Sequence, residues 1–192
     1  MDGFVRVLKQ AAVDLGVPEA CIYTRGNSLP GFFRPSKAWD FLIITPGQKL
    51  IAAAELKSQV GSFGNNFNNR VEEAIGSAVD LWTAFRERTL PQMQQPWLGY
   101  WMLVEKTPAS VRPVQIQAPH FQVRSEFQQT SYLDRYVIFC RKLLAERHYS
   151  AAALIWTTEE LEFGSLHAEL SAEVFLLSLM GFIQGRLQEF EP

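Results

Sequence analysis

The chain has 192 residues, of which 47% are hydrophobic and 20% charged, as expected for a globular protein that folds as a single domain over residues 1–192. The formal net charge of −2 excludes a strongly basic protein, so a bound nucleic acid would have to meet a local positive potential. The two cysteines, Cys21 and Cys140, exclude a disulfide scaffold and a zinc site, and they indicate buried thiols in a reducing compartment.

Apolar spacing predicts the elements of the first third of the chain. Residues 4–15 carry apolar side chains at helical intervals and predict a first helix. Residues 19–38 are rich in turn formers and predict an irregular segment. Two apolar strands follow at 39–45 and 50–60, separated by turn residues, and they predict a β-hairpin inside a buried sheet.

The rest of the chain alternates helices with strands. A helix is predicted at 70–88, with Asn69 as its N-cap and Glu72 completing a capping box; Glu72 and Glu73 would then suit the helix dipole. The later elements are a strand at 97–106, a helix at 127–147, a strand at 151–156 and a very apolar helix at 168–189. This order predicts an α/β fold with a mixed central sheet flanked by helices.

The last helix also bears on location. Its apolar run VFLLSLMGFI, residues 174–183, has about half the length needed to cross a bilayer, and the first residues lack the apolar region of a signal peptide. We therefore expect a cytoplasmic protein that does not associate with a membrane. The run itself is interpreted as a core helix or a dimer contact.

Charged residues interrupt the predicted hairpin. Because side chains two apart in a strand share a face, Glu55, Lys57 and Gln59 point to one side of the second strand. Asp40, at the head of the first strand, can converge on them. Two carboxylates that meet repel unless a cation lies between them, and Mg²⁺ takes oxygen ligands from both. The pattern predicts a metal site at Asp40 and Glu55.

Lys57 adds a candidate chemistry to this site. A lysine beside the metal can orient or deprotonate an attacking water and stabilise a phosphorane-like transition state, which suits hydrolysis of a phosphodiester. The alternative is a solvated ion pair of Lys57 with Asp40 or Glu55 at the end of the strand. Gln59 has two interpretations of equal weight: its side chain contacts a water or the phosphate, or it forms a hydrogen bond at the end of the sheet.

The segment GSFGNNFNNR, residues 61–70, is predicted to be a loop that contacts DNA. Asparagine side chains can bond to an adenine edge, and arginine is a natural partner of phosphate or guanine. The alternative is a flexible loop whose asparagines form turns and cap the next helix. The candidate DNA-contacting residues are Asn65, Asn66, Asn68, Asn69, Arg70 and Gln59, together with Arg34 and Lys37 ahead of Asp40.

Asp40 followed by Glu55-x-Lys57 on the next strand resembles the PD-(D/E)xK nuclease superfamily. More narrowly, residues 34–85, and above all the run ELKSQVGSFGNNFNNR, resemble the XhoI family of type II restriction endonucleases. The resemblance implies a restriction-endonuclease-like core and Mg²⁺-dependent cleavage of double-stranded DNA at the palindrome CTCGAG. It also implies a homodimer and a cognate DNA methyltransferase. Asp40 and Glu55 would be metal ligands and Lys57 the catalytic lysine.

The chain departs from the family pattern at two places. Trp39 stands where the superfamily has a proline before the aspartate, and the N-terminus is shorter than expected, as if an N-terminal extension were lacking. Many superfamily members take a further acid from the first helix, and Glu19 is the candidate here. Two other functions stay open: a repair or recombination nuclease that reads DNA structure, and a DNA-binding module with an inactive site.

Overall fold

A computed structural model describes residues 1–90 and 94–190 of the chain. Residues 91–93 and 191–192 of the predicted domain lie outside the described residues. In chain order the elements are α1 (Asp2–Asp14), β1 (Ile22–Tyr23), β2 (Ser28–Pro30), β3 (Ser36–Ala38), β4 (Phe41–Ile44), β5 (Leu50–Gln59), α2 (Phe63–Arg86), β6 (Trp97–Glu105), α3 (Pro108–Val111), α4 (Tyr132–Ala145), β7 (Ala151–Thr157), β8 (Phe163–Ser165) and α5 (Ala172–Gln184).

The described strands form a six-stranded central sheet in the order β1-β4-β5-β6-β7-β8, and β2 pairs with β3 in a separate hairpin. β4 and β5 are antiparallel, which confirms the predicted hairpin, while β5, β6 and β7 run parallel to one another. The parallel strands are buried over most of their length because helices cover both faces, and their sequences are accordingly near-continuous apolar runs. The predicted mixed α/β architecture is confirmed.

Two cores lie on opposite faces of the sheet. Ala52, Ala54 and Leu56 of β5 pack with side chains of α1 and α5, whereas Ala53 packs with those of α2 and α4. This alternation is the predicted one, and it directs the Glu55 side chain to the α2 face. α5 belongs to the core that contains Ala52, Ala54 and Leu56, in agreement with the core-helix interpretation of its apolar run. No described helix is long and apolar enough to cross a membrane.

The prediction of a loop at residues 61–70 is wrong, because α2 begins at Phe63 and contains all four asparagines. Asn69 is therefore not an N-cap, and it forms no capping box with Glu72. The N-cap position belongs to Ser62, whose φ of 45° lies in the left-handed region, directly after Gly61 with φ of 60°. Two consecutive left-handed residues turn the chain sharply from β5 into the helix.

Burial of one face explains why this segment is helical. Phe63, Phe67 and Val71 follow one another at intervals of four residues and pack into the α2–α4 core. The Phe63 ring stacks on Tyr132 of α4 with 5.9 Å between centroids, and Phe67 meets Tyr136 edge-on at 5.1 Å. These contacts outweigh the weak helix propensity of asparagine and glycine.

Three smaller differences concern the bounds of the elements. Residues 19–38 are not irregular throughout, since they contain β1, β2 and β3. The helices predicted at 127–147 and 168–189 are shorter in the structure, and 3₁₀ turns take up part of the difference. The strand β8 has no predicted counterpart.

Candidate active site

Asp40 and β5 meet at the point where the β4–β5 hairpin ends. The backbone N–H of Asp40 donates to the Ala54 carbonyl at 3.2 Å, and the Asp40 Oδ2 atom accepts from the Leu56 N–H at 2.7 Å. Leu56 stands between Glu55 and Lys57 in the sequence. The structure therefore anchors the Asp40 carboxylate on the backbone that carries the other two predicted catalytic residues.

Glu55 is only 2% exposed and has two cationic neighbours. Its Oε1 atom lies 2.9 Å from Nζ of Lys57 and 3.1 Å from Nζ of Lys37. Its Oε2 atom is buried and has no hydrogen-bond partner among the described residues. A buried carboxylate is costly unless it is paired, and here one oxygen contacts both cations while the other, also buried, has no hydrogen-bond partner among the described residues.

Lys37 reaches this carboxylate from β3. Its ammonium lies 4.6 Å from the centre of the Trp39 ring, which occupies the position before Asp40. From the sequence, Lys37 is predicted to contact DNA alone, since nothing in a linear pattern indicates that the β2–β3 hairpin folds against β5. Its proximity to Glu55 adds a second lysine to the predicted centre.

Glu73 is a residue of the site that the sequence analysis missed. Its Oε2 atom accepts from Nη1 of Arg70 at 2.6 Å and lies 3.9 Å from Nζ of Lys57. The helix begins earlier than predicted, so Glu73 lies in its third turn rather than its first, where it faces Lys57. The same correction places Arg70 in an ion pair, with its Nε buried and without a partner among the described residues.

The asparagines of α2 lie in the first two turns of the helix. Asn65, Asn68 and Asn69 are exposed and share one face at the i, i+3, i+4 spacing, while Asn66 is half-buried. The amide of Gly61, just before the helix, donates to Oε2 of Glu105 at 3.0 Å. The structure thus fixes this end of the helix and presents the asparagines to solvent.

Other predicted residues have structural partners. The Gln59 side-chain amide donates to the Gly61 carbonyl, which is a hydrogen bond at the end of the sheet, and its Oε1 is buried without a partner among the described residues. Arg34 donates from Nε to Oδ2 of Asp80 at 2.7 Å. Glu19 pairs with Lys9 at 2.9 Å and is largely exposed, and within residues 1–90 and 94–190 it joins no metal-binding group of three.

Two tyrosines lie beneath Glu55. Burial raises the pKa of the Tyr149 hydroxyl well above its ordinary value, and the Glu55 carboxylate adds to the rise. Burial likewise raises the pKa of Tyr100, with smaller contributions from neighbouring groups that include Glu55. The Tyr149 hydroxyl donates to the Ala74 carbonyl at 2.9 Å. Both phenols therefore stay neutral, and they add no negative charge to the site.

Comparison with known proteins identifies the family. The family profile of restriction endonuclease XhoI matches residues 1–166. The chain belongs to the XhoI family of restriction endonucleases. This membership places it among DNA-cleaving hydrolases of the type II class, as the resemblance of residues 34–85 implied.

Three relatives illustrate the extent of the similarity within the XhoI family. The type II restriction enzyme BstVI of Geobacillus stearothermophilus is 44% identical over 190 residues, which cover 94% of this chain and 85% of that protein. XhoI of Xanthomonas vasicola is 51% identical over 148 residues, 75% of this chain and 59% of that protein. AbrI of Azospirillum brasilense is 49% identical over 125 residues, 64% of this chain and 56% of that protein. The chain thus spans less than two thirds of the latter two relatives. No solved structure matches.

The residues present fit the Mg²⁺ that the resemblance to the family implies. Mg²⁺ binds proteins through one or two carboxylates and completes its shell with waters and substrate phosphate oxygens. Asp40 and Glu55 supply two carboxylates, and the unpartnered Oε2 of Glu55 is a free donor of the required hard type. No third acid is needed for this kind of coordination.

Proposed function

We propose that the chain is a Mg²⁺-dependent type II restriction endonuclease that hydrolyses one phosphodiester bond in each strand of double-stranded DNA at the palindrome CTCGAG. The observation that carries this proposal is the meeting of Asp40, Glu55 and Lys57 beside the second half of β5, where Oε2 of Glu55 has no hydrogen-bond partner among the described residues. Family membership supports the coarser part, cleavage of DNA. The particular palindrome follows from the resemblance of the ELKSQVGSFGNNFNNR run.

Each residue of the site has a role in this reaction. Asp40 and Glu55 would hold the Mg²⁺, whose contribution is to polarise the scissile phosphate as a Lewis acid. The Lys57 ammonium is 27% exposed and is oriented by its contact with Glu55, so it can hold the attacking water and stabilise negative charge on the phosphate. Lys37 lies on the other side of the same oxygen, where it can balance the charge of the two carboxylates.

The N-terminal part of α2 is the proposed DNA-reading element. Its first turn offers unpaired backbone N–H groups and a positive dipole to a phosphate, and its exposed asparagines can bond to adenine edges. Arg70 and Arg34 would contact DNA while they remain paired with Glu73 and Asp80, respectively. A homodimer would place one site on each strand of a palindrome, and a methyltransferase of the same specificity would protect the host DNA without binding this chain.

The decisive experiment uses two plasmids that differ by one base pair in a single CTCGAG sequence. We expect the chain to linearise the first plasmid in Mg²⁺, to leave the second intact, and to leave both intact in EDTA. Cutting at forks or junctions of both plasmids would instead identify a structure-specific repair nuclease. Sedimentation with and without the CTCGAG duplex tests the homodimer.

Variants separate catalysis from binding. Glu55→Ala and Lys57→Ala are expected to abolish cleavage and to retain binding of the CTCGAG duplex in Ca²⁺, because neither residue lies on the asparagine face of α2. Lys49→Ala is the matched control, since Lys49 lies in the turn between β4 and β5 and pairs with Glu189 at 3.3 Å, away from Glu55 and the asparagine face of α2. A wild-type chain that binds the duplex but cuts nothing in Mg²⁺ or Mn²⁺ would show an inactive binding module.

A further inference from the structure

A pair of aromatic rings stands in solvent at the tip of the β2–β3 hairpin. Phe32 and Phe33 are 47% and 68% exposed, and their rings meet edge to face with 5.0 Å between centroids. They belong to the turn of residues 31–35, which we call the aromatic turn. Exposing two neighbouring phenylalanines forgoes the favourable burial of a large apolar area, so the turn calls for a functional explanation.

A buried carboxylate holds this turn in one conformation. Asp80 of α2 is 3% exposed, and its Oδ1 atom accepts from the backbone N–H groups of Phe32 at 2.9 Å and Phe33 at 2.8 Å. Its Oδ2 atom accepts from Nε of Arg34 at 2.7 Å, and Arg34 also donates to the Gly76 carbonyl at 3.3 Å. Three charge-assisted hydrogen bonds on a buried acid are among the stronger polar contacts in a protein.

The close packing around Gly31 also indicates that the aromatic turn has a single conformation. A side chain at position 31 would place its Cβ 2.5 Å from Oδ2 of Asp80 and 2.7 Å from the Arg34 carbonyl, so only glycine fits there. Exposed hairpin tips are usually mobile. Here the backbone is tied to the middle of α2, and the side chains that it carries into solvent are therefore held in place before any partner binds.

The aromatic turn belongs to the hairpin that reaches the active site. Lys37 on β3 pairs in register with Leu29 and contacts Glu55 through its ammonium, and the Pro30–Ser36 pair comes next before the turn begins. At about 3.3 Å per residue the turn begins roughly 7 Å from Lys37, which is less than the width of the DNA major groove, about 12 Å. A duplex with its phosphate at Lys57 therefore comes within reach of both rings.

Charge at the turn favours DNA over another protein surface. The Arg34 side chain, next to the rings, is 42% exposed, while its partner Asp80 on α2 is buried. Two apolar rings beside an exposed guanidinium match a duplex, whose bases are apolar on their faces and whose phosphates flank them. A second copy of this chain would have to bury that cation.

We propose that the aromatic turn enters the groove of the bound duplex and packs Phe33 against the bases beside the scissile phosphate, with Phe32 supporting its ring and Asp80 as the positioning residue. This inference rests on the proposed function. Insertion of an apolar side chain at a base step is an established means of deforming DNA and of reading its sequence-dependent stiffness. The turn would thus contribute to site choice separately from the asparagines of α2.

The test is binding of a CTCGAG duplex in Ca²⁺, with 2-aminopurine placed next to the scissile position as a reporter of stacking. Phe33→Ala is expected to weaken binding about tenfold, in line with loss of one base–aromatic contact, and to abolish the fluorescence change. Phe33→Trp should restore both. Phe163→Ala is the control, because Phe163 is 77% exposed on β8 at the far edge of the sheet.

The role of Asp80 is tested by a double-mutant cycle. Asp80→Asn is expected to weaken binding in the wild-type background and to have little further effect in the Phe33→Ala background, since it acts through the position of that ring. Equal effects in both backgrounds would show a structural role only and overturn this part of the inference.

Two other outcomes overturn the whole inference. Phe33→Ala and Phe163→Ala with the same dissociation constant and fluorescence would exclude base contact, and a loss of the dimer in Phe33→Ala by sedimentation would make the turn a protein contact. Neither outcome affects the plasmid assay of the wild-type chain, so failure of this inference is distinguishable from failure of the proposed function.

Discussion

Replacing the two lysines that contact Glu55, singly and together, is expected to reveal a non-additive loss of stability. Lys37 and Lys57 lie 3.1 and 2.9 Å from the same oxygen of a carboxylate that is 2% exposed. Lys37→Met or Lys57→Met leaves one ammonium to neutralise the carboxylate, so each should lower the free energy of unfolding by only about 1.5 kcal/mol, the lower end of the range for one hydrogen bond to a charged group. Methionine keeps most of the apolar stem.

The double variant leaves the buried carboxylate without a cation. Breaking a buried pair in this way costs about 3–5 kcal/mol, so the coupling free energy between the two lysines should be about 1 kcal/mol. Urea unfolding in EDTA, followed by tryptophan fluorescence, measures all four corners of the cycle. In a Glu55→Gln background the coupling free energy between the two lysines should be close to zero, because the charge that the lysines balance is absent.

Activity separates the two lysines where stability does not. Lys57→Met should lower the cleavage rate by at least about 10²–10³-fold, the usual cost of losing one group that stabilises transition-state charge, and Lys37→Met should lower it much less. Additive stability losses within about 0.5 kcal/mol, or a cycle unchanged in Glu55→Gln, would refute the assignment of Glu55 as the shared partner of both cations.

Further expectations concern the surroundings of the site. Glu73→Gln should lower the cleavage rate while leaving duplex binding in Ca²⁺ equal or tighter, because it releases the Lys57 ammonium and removes a negative charge near DNA; weaker binding would argue against this. Gly99→Ala should lower the melting temperature sharply, since its Cβ would lie 2.3 Å from a tryptophan ring, whereas Gly76→Ala has open space and should stabilise α2 by about 0.5–1 kcal/mol. Burial favours a raised pKa at Asp80, but Arg34 and two backbone amides lower the pKa overall. The contribution of the Asp80 carboxylate to the free energy of unfolding should therefore be full above its pKa in the unfolded chain and disappear as the pH falls through its pKa in the folded chain. Urea unfolding of wild type and Asp80→Asn should therefore converge in acid.

The sequence predicts the strands and the positions of Asp40, Glu55 and Lys57 because one physical rule governs both, while the catalytic roles of these residues stay a prediction. Alternation along β5 determines which side chains share a face, and the buried parallel strands are recognisable as apolar runs. Glu55 and Lys57 could therefore be placed on one face before the structure was known, and Asp40 beside them.

The beginning of α2 could not be predicted from local propensity. Asparagine and glycine favour turns, yet Phe63, Phe67 and Val71 are buried against α4, an element far along the chain. The interval of four residues between these apolar side chains was the available indication. A prediction based on this interval would start the helix at Phe63 and would place Glu73 near Lys57.

Lys37 illustrates a second limit. Its contact with Glu55 depends on how the β2–β3 hairpin folds against β5, and the Asp80 carboxylate that holds the hairpin tip lies 48 residues from Phe32. Contacts across such separations are a property of the tertiary structure, and no pattern within the hairpin sequence indicates them.

In the proposed reaction, the sharing of Glu55 between two lysines links the binding of the metal to the binding of DNA. The formal charges of Asp40, Glu55, Lys37 and Lys57 sum to zero, so a divalent cation entering beside them would leave an excess of two positive charges. A DNA phosphate at the same place removes part of that excess. Metal and DNA should therefore each raise the affinity for the other by the same factor, and a chain free of DNA should hold the metal weakly, which couples the arrival of the metal to the presence of a target.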